Sequence, residues 1–457
     1  MSIASEITRL QTAKADIKTA IEAKGVTVPS NATLDTYDDY VAQISGGGGD
    51  NWKLKGMVDG GITGITTNDL GGILTVRNYA FNECTALKSA EIPNGVTKFG
   101  NYAFNSCTSL SAITIPTTLT SIGTYAFQRC TKLESITLPS GVTATSNGSF
   151  SRVGTGTTNG TDITLKGIKS INSSAFSYAK INTLTFEQPV TGHSTYWLEG
   201  TTANTLNIGG TIFTGTSSTA NWLYTTINNA DRTKFQVKNI NILSGTTTIG
   251  NYSFYSGLSI TSIDMSAATG ITSIGTYALG YCTGMTSCVI PNSVSGTNLG
   301  KYAFYNCYSL QSINIPTGLT QILSYCFYNC RSLTGITIPN SVTYIASGAF
   351  AGCSGATVLN LGSVQNIQSS AFQNCKSLTT VVVPATVTNI GTYCFSGCSG
   401  MQYFRFLSTT PPTLGGSGVF TGTNSCPIYV PSGSVDTYKT ADVWSGWADR
   451  IQAWTGD

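Results

Sequence analysis

A short repeat decides what this chain can fold into. An aromatic residue recurs in the frame Tyr-Ala-Phe or Gly-Ala-Phe, and most consecutive copies lie 22 or 23 residues apart. The copies are Phe81, Phe104, Phe127, Phe304, Phe327, Phe350, Phe372 and Phe395, and Leu279 and Phe254 continue the series toward the N-terminus. Because a unit this short cannot bury its own apolar face, it must stack on its neighbours as a solenoid.

The rest of the unit predicts a strand and a sharp stop. A cysteine follows most of the aromatics by three residues, and Leu or Met follows the cysteine by three more. Residues 113–115 and 336–338 then alternate apolar and polar side chains before a proline, so two side chains point inward and one outward. The proline ends the pairing of each strand. We expect about fifteen turns, roughly 70 Å long at the spacing of β-strands.

The frame Ala-Phe-x-x-Cys-x-x-Leu-x-x-Ile-x-Ile-Pro resembles BspA-type leucine-rich repeats over residues 70–430. The resemblance implies a β-rich solenoid of about 23-residue repeats with a C-terminal cap. We place the solenoid at 51–410 and the cap at 411–457. The cap segments that resemble the family are 410–412, 426–431 and a helix through Tyr438, Trp444, Trp447 and Ile451.

The centre of the repeat array departs from the pattern. Within residues 151–250 the cysteine is missing and the spacing fails, although short strands are still expected at 163–165, 184–186, 206–208 and 240–242. Insertions in a solenoid often lie on its binding face. The candidate ligand-binding residues here are His193, Tyr196, Trp197, Trp222 and Tyr224. For the tryptophans core packing is slightly favoured over ligand binding, and for His193 a plain hydrogen-bonding role is favoured over catalysis.

The first 45 residues predict a small helical module. Apolar residues alternate four and three apart as a heptad seam, with Lys14 inside it. The seam residues, our candidates for attachment or oligomerisation, are Ile3, Ile7, Leu10, Ile17 and Ile21. A glycine-rich linker over 46–50 follows. The segment 10–44 resembles N-terminal segments of bacteriophage tail-fibre and other virion proteins. The alternative is that the module is a helical cap on the solenoid. The flexible linker argues against this, because it would uncouple such a cap from the first turn of the solenoid.

Composition argues against several kinds of chemistry. Nine of the 13 cysteines share one repeat position, which predicts a buried ladder of free thiols rather than disulfides or zinc sites. There is one histidine, and we find no catalytic motif. We therefore predict no enzyme activity, no catalytic residues, no metal and no cofactor. The net charge of +3 without a basic cluster predicts no nucleic-acid partner, and no apolar run is long enough for membrane insertion.

The outward strand residues form a neutral row that could suit a glycan or merely keep the strands soluble. Its members are Thr114, Thr137, Thr164, Thr185, Asn207, Asn241, Asp264, Asn314, Thr337 and Asn360. The sequence start, MSIASEITRL, does not have the pattern of a Sec-type signal peptide, so we expect synthesis in a cytoplasm.

These features together predict a non-enzymatic virion protein of a phage tail or appendage. Residues 1–45 would hold it to other virion proteins or to sister chains, as a homo-oligomer such as a trimer. The solenoid would bind a glycan or protein of the bacterial host surface. The alternatives are a structural decoration protein of the virion, a bacterial surface adhesin and, less favoured, a glycan-cleaving tail enzyme.

Overall fold

The computed structural model describes residues 14–15, 17–19, 21–23, 63–67, 69–70, 73–194, 196–210 and 236–456. From residue 63 onward the chain winds as a parallel β-solenoid of about 16 turns, each here called a rung. A rung has a first strand, a second strand and a turn segment that carries the repeated phenylalanine. The repeat and the solenoid predicted from it are thereby confirmed.

The strands are short, because prolines and tight turns interrupt each rung. In chain order the first half comprises β1 (Gly64–Ile65), β2 (Thr75–Val76), β3 (Ser89–Glu91), β4 (Lys98–Phe99), β5 (Ala112–Thr114), β6 (Ser135–Leu138), β7 (Thr161–Leu165), β8 (Ser170–Ile171), β9 (Lys180–Phe186), β10 (Gly192–His193), β11 (Thr202–Ile208), β12 (Gln236–Ile242), β13 (Thr248–Ile249) and β14 (Ser262–Asp264). The second half comprises β15 (Ser273–Ile274), β16 (Ser287–Cys288), β17 (Ser312–Ile313), β18 (Gln321–Ile322), β19 (Gly335–Thr337), β20 (Tyr344–Ile345), β21 (Val358–Asn360), β22 (Asn366–Ile367), β23 (Thr380–Val383), β24 (Asn389–Ile390), β25 (Tyr403–Phe406), β26 (Thr413–Leu414), β27 (Ile428–Val430) and β28 (Ile451–Ala453).

Each strand pairs in parallel with the equivalent strand of the next rung. The first strands form an 11-stranded sheet from β1 to β17, a pair β19–β21 and a four-stranded sheet β23–β25–β27–β28. The second strands form β2–β4, β8–β10, β13–β15 and the five-stranded sheet β18–β20–β22–β24–β26. The turn between the two strands begins at the predicted proline, as where the Pro116 carbonyl accepts a hydrogen bond from the Leu119 N–H at 3.2 Å.

The turn segment also forms backbone hydrogen bonds to the next rung, and residues with a left-handed backbone conformation make this possible. Tyr79 and Glu83, two residues before and after Phe81, have φ of 59° and 63°. The N–H groups of Tyr79, Phe81 and Glu83 donate to carbonyls of the next rung at 2.7–2.9 Å. The intervening Ala80 and Asn82 donate to carbonyls three residues earlier. A left-handed residue other than glycine costs about 1–2 kcal/mol, which these hydrogen bonds between rungs offset.

The repeated phenylalanines fill the core as two stacks. Their side chains are fully buried, and successive rings lie face to face with centroids 4.9–6.4 Å apart. One stack runs from Phe81 to Phe176 and the other from Phe304 to Phe420. Burial of such a side chain contributes about 1.5–3 kcal/mol, so these rings are a main source of cohesion between rungs.

The cysteines are buried thiols, as predicted. All 13 are buried and none forms a disulfide. Nearly all ladder thiols donate to the carbonyl of the aromatic position one rung earlier, as Cys107 does to Phe81 at 2.9 Å and Cys130 to Phe104 at 3.1 Å. Burial raises the pKa of Cys130 to about 12, so the thiol stays protonated. The repeat position therefore selects a small, apolar side chain that can still donate a hydrogen bond.

The central rungs predicted over 151–250 keep stacking wherever the structure describes them, and their first strands are longer than elsewhere. The strands β9, β11 and β12 have seven residues each and pair in register. Leu198 takes the phenylalanine position here, and Thr201 takes the cysteine position. The Thr201 hydroxyl donates to the Phe176 carbonyl, which replaces the thiol bond of the regular rungs. Residues 211–235 lie outside the described residues.

The C-terminal end is capped by less helix than predicted. The α-helix α1 covers only Val435–Thr440, a 3-10 helix covers Trp444–Arg450, and Ile451 belongs to β28 instead of a helix. Tyr438 and Trp444 are buried, and the Trp444 indole donates to the Pro412 carbonyl at 2.7 Å. Both side chains thus belong to the core at this end of the chain, and the cap is small. The helical prediction failed at Ile451 because its strand pairs with β27.

The N-terminal module stays a prediction. Ile3, Ile7, Leu10 and the linker 46–50 lie outside the described residues. Ile17 and Ile21 lie among described residues that are helical, with Ile21 buried. No helix in the described part of the chain is long and apolar enough to cross a membrane.

Candidate binding surface

The largest ordered group of aromatic side chains at the surface lies along the turn segments. Tyrosines stand two residues before the repeated aromatic, at the left-handed position, and others lie one or two residues after it. We call eight of them the tyrosine face: Tyr252, Tyr277, Tyr302 and Tyr325 in one column, and Tyr255, Tyr281, Tyr305 and Tyr328 in a second. All eight are half-buried, so each keeps part of its ring open to solvent.

The tyrosine face is rigid, because its rings support one another in both directions. Along the first column Tyr277 and Tyr302 stack with centroids 4.4 Å apart and planes 6° apart. Along the second column Tyr305 and Tyr328 stack at 4.9 Å and 9°. Across the columns the contacts are edge to face, as between Tyr302 and Tyr305 at 5.6 Å and 65°. Both geometries are favourable for aromatic pairs.

Two phenols of this surface, those of Tyr277 and Tyr305, have a raised pKa. Desolvation, with neighbouring phenols as a second cause, raises the pKa of Tyr277 to about 12. The same causes raise the pKa of Tyr305. A neutral phenol can both donate and accept a hydrogen bond, and its ring offers apolar area. The surface can therefore hold a ligand with hydroxyl groups and apolar faces, such as a sugar ring or a peptide side chain.

A smaller column of stacked tyrosines lies near the N-terminal end. This column and the first column of the tyrosine face each end against a glycine of the next rung. Tyr79, Tyr102 and Tyr125 stack at 4.9 and 5.2 Å. The Tyr125 ring lies where a Cβ of Gly148 would be, and the Tyr325 ring lies where a Cβ of Gly348 would be. Each terminal ring thus rests on the backbone of the next rung.

The polar stripe predicted on the first strands exists, but much of its hydrogen bonding is used internally. Its members lie in register, as in Thr185↔Asn207↔Asn241, and none is buried. The Asn207 amide donates to the Thr185 hydroxyl and the Asn241 amide donates to Asn207 Oδ1, both at 2.9 Å. Asn314 bonds both backbone groups of Ile290 at 2.7 Å. These contacts favour the structural role over a glycan track.

The predicted central candidates do not converge on one site. His193 lies in β10 in register with Ile171, an inward position, and burial lowers the pKa of its imidazole. Tyr196 is exposed at the left-handed turn position, with φ of 61°. Trp197 has no exposed area and packs edge to face on Phe176 and Phe186.

Trp197 thus has the packing role that was favoured for it, because it occupies the alanine position beside Leu198. Trp222 and Tyr224 lie outside the described residues, and a ligand at His193 and Tyr196 stays a prediction. Within the described part of the chain, no group of three His, Cys, Asp or Glu side chains could hold a metal ion.

Sequence reasoning missed the tyrosine face although its signal was present. The tyrosines belong to the Tyr-Ala-Phe frame that located the repeat. A second signal is that no Asp or Glu occurs between Asp264 and Asp436, a stretch that contains four cations. A part of the solenoid that is rich in tyrosine and has no acidic residue is typical of a contact surface.

Comparison with known proteins identifies the repeat. A family model described as the BspA type leucine rich repeat region matches six copies over residues 74–205, 207–322 and 272–402. No curated protein matches the chain.

Three crystal structures illustrate the similarity. A leucine rich cell surface protein from Faecalibacterium prausnitzii A2-165 is 19% identical, covers 84% of this chain and 94% of that chain, and has a TM-score of 0.33. A leucine-rich repeat protein from Bacteroides ovatus ATCC 8483 is 21% identical over 86% and 83%, with a TM-score of 0.35. The pneumococcal vaccine antigen PcpA is 14% identical over 83% of each chain, with a TM-score of 0.34.

Proposed function

The chain belongs to the family of BspA-type leucine-rich repeat proteins, and from that premise we propose that it is a non-enzymatic binding protein whose tyrosine face contacts a ligand on a bacterial surface. The observation that carries the proposal is the double column of eight tyrosines from Tyr252 to Tyr328, whose rings are in contact by stacked, tilted or edge-to-face geometry. A single column occurs elsewhere on the chain, but only this region is two rings wide among the described rungs.

A rigid phenol surface is well suited to binding. Tyrosine supplies a large contact area with few rotatable bonds, so little side-chain entropy is lost when a ligand binds. Here even that small loss is reduced, because each ring is already held by its neighbours at 4.4–5.7 Å. Family members generally bind protein or surface partners, and the tyrosine face gives this chain the surface for such a role.

The same geometry argues for binding rather than acid–base chemistry at this surface. A general acid or base works best with a pKa near the operating pH. Burial moves the pKa of Tyr277 away from neutrality, to about 12. One carboxylate, Asp264, occurs between Tyr252 and Tyr328, and it lies in the strand β14 rather than in a turn segment.

We place the protein on a bacteriophage particle, attached through residues 1–45 to other virion proteins or to sister chains. The resemblance of segment 10–44 to virion proteins and the heptad seam support this placement. The second candidate is an adhesin on a bacterial cell surface, which is compatible with the family. In both candidates the solenoid binds a ligand. The two differ in whether the chain is attached to a phage particle or to a bacterial cell.

The placement is tested by mass spectrometry on purified phage particles and on cell fractions from the source sample. Stoichiometric peptides in the particles support the virion, and deletion of residues 1–45 should then abolish incorporation. Peptides only on or outside bacterial cells would show the adhesin instead. Incorporation that survives the deletion would show that residues 1–45 merely cap the solenoid.

The binding role of the tyrosine face is tested by substitutions to a residue type that the left-handed backbone conformation of this position already accepts. Ser174 and Ser370 occupy the same left-handed position in other rungs, with φ of 56° and 57°. The triple variant Tyr277→Ser, Tyr302→Ser, Tyr325→Ser should therefore keep the fold, checked by circular dichroism. We expect it to bind host cells at least tenfold more weakly than the unaltered chain.

The matched control is Tyr79→Ser, Tyr102→Ser, Tyr125→Ser, which removes the smaller column at the same repeat position. It should bind host cells like the unaltered chain. Equal loss in both variants, or no loss in the first, would refute the assignment of binding to the tyrosine face.

A further inference from the structure

The tyrosine face ends abruptly at a rung of small side chains. Where the preceding rung has Tyr325 and Tyr328, the rung of Phe350 has Gly348 and Ala351. Gly352 follows with φ of 78°, and a Cβ there would collide with Asn329 Oδ1. The small side chains leave a groove between the rungs on either side. Its volume is about 380 Å³, within the range of small-ligand sites.

One wall of the groove is the last rung of the tyrosine face. One side of the Tyr328 ring stacks on Tyr305, and because Ala351 follows in the next rung, the other side borders the groove. Asn329 lies beside it, and its side-chain amide donates a hydrogen bond to Asn306 Oδ1 at 3.0 Å. This wall therefore presents an aromatic surface next to a fixed amide.

Cations at one repeat position lie on both sides of the groove. Arg331 and Lys376 line it in the rungs before and after Ser354, about 10 Å apart along the solenoid at the spacing of strands. The Arg331 guanidinium lies over the Tyr308 ring, 4.5 Å from its centroid, which fixes its position. In the described part of the chain neither cation lies within ion-pair distance of a carboxylate. Gln373 and Asn374 complete the far wall.

The charge of the whole region has one sign. Between Asp264 and Asp436 the only charged residues are Lys301, Arg331, Lys376 and Arg405. Half of these cations line the groove. Because no carboxylate lies within this stretch of sequence to offset them, the region attracts an anionic ligand.

We propose that this groove binds a carboxylate-bearing saccharide, such as a uronic or sialic acid unit of a bacterial-surface glycan; this deepens the proposed binding function and rests on it. The open side of Tyr328 takes the apolar C–H face of a sugar ring. The amides and the Ser354 hydroxyl bond the ring hydroxyls. The planar Arg331 guanidinium bonds the carboxylate through two N–H groups, with Lys376 as a second positive charge.

Calorimetry on the full chain tests the site with three acidic probes: trigalacturonate, trimannuronate and sialyllactose, each compared with its methyl ester. We expect at least one acid to bind and its uncharged ester to bind at least tenfold more weakly. Arg331→Gln and Lys376→Gln should each weaken binding at least fivefold. Absence of binding by all three acids, or equal binding of acid and ester, overturns the proposal.

Two further variants separate the groove from general electrostatics. Ala351→Tyr extends the second tyrosine column into the groove and should abolish binding of the acid while the thermal midpoint is kept. Lys301→Gln removes a cation of the same region outside the groove and should leave the affinity unchanged. Loss in Lys301→Gln equal to that in Arg331→Gln, or competition by inorganic phosphate at the same affinity, would show a nonspecific anion site instead.

The two proposals can fail separately. If the groove variants lose the acid probe while the Tyr277→Ser triple variant still binds host cells, the groove stands and the tyrosine face fails. If the triple variant loses the cells and no acid probe binds the unaltered chain, the tyrosine face stands and the groove fails.

Discussion

The Cys107 thiol donates a hydrogen bond to the carbonyl oxygen of Phe81, 26 residues earlier, at 2.9 Å. The same bond joins Cys130 to Phe104 and Cys353 to Phe327. Where the cysteine is missing, Thr201 makes it with its hydroxyl. A side-chain donor is therefore common at this position, and the thiol is one way to supply it, although Val153, Ala179 and Gly257 occupy the position in three rungs.

Exchange of Cys107 for two residues of similar shape isolates that donor. We expect Cys107→Thr to be more stable than Cys107→Val by about 0.5–1.5 kcal/mol, the net contribution of one buried hydrogen bond. Denaturant unfolding of the two variants measures the difference. A valine variant as stable as the threonine variant would show that the position selects only for size.

Alkaline pH should destabilise the solenoid through its thiols. Burial raises the pKa of Cys130, Cys282 and Cys353 to about 12, above the ordinary value of 9.0. The unfolded chain therefore loses these protons first, so stability is complete below about pH 9 and falls as the pH rises toward 12. Thermal midpoints from pH 7 to 11 check this.

The control for the alkaline effect replaces the same three cysteines with threonine, which does not titrate. This variant should show a shallower loss of thermal midpoint above pH 9. An identical pH profile in both proteins would assign the loss to other groups, such as the phenols.

Two glycines differ in whether the structure leaves room for a larger side chain, so alanine substitutions at them should differ in their effect on stability. Gly348 has φ of 64° and supports the Tyr325 ring, whereas Gly335 lies in β19 with open space where a Cβ would be. We expect Gly348→Ala to lower the free energy of unfolding by at least about 1–2 kcal/mol from the backbone alone. Gly335→Ala should change it by less than about 0.5 kcal/mol. Equal effects in denaturant unfolding would contradict the packing of Tyr325 on Gly348.

The repeat made the core predictable, because a fixed spacing on a solenoid puts equivalent residues in one slot. Phe104 and Cys107 were correctly expected to be buried, since both recur at 23-residue spacing among their equivalents. The central strands were predictable for the same reason, as alternation alone decides which side chains of 206–208 point inward.

The candidate site was less predictable, because the side chains of a turn segment do not alternate between inward and outward as those of a strand do. Tyr302 reaches the surface only because φ of 59° turns its side chain away from Phe304, and that angle arises from bonding to the next rung. His193 was expected in a loop, yet it lies in the strand β10, in register with Ile171. Trp197 looked like part of an insertion, yet it fills an ordinary alanine slot.

The last prediction concerns Trp197 and the exposed residue before it. Trp197→Ala removes a fully buried side chain that packs on Phe176 and Phe186, so it should cost about 3–5 kcal/mol. Tyr196→Ser keeps a residue type that the left-handed position accepts elsewhere and should cost less than about 0.5 kcal/mol. Since rungs contact mainly their neighbours, the damage should stay local. Hydrogen exchange in Trp197→Ala should accelerate over residues 161–208 and stay unchanged over 335–430. Acceleration along the entire solenoid would mean that the rungs unfold as one unit, and protection equal to that of Tyr196→Ser would contradict the buried position of the indole.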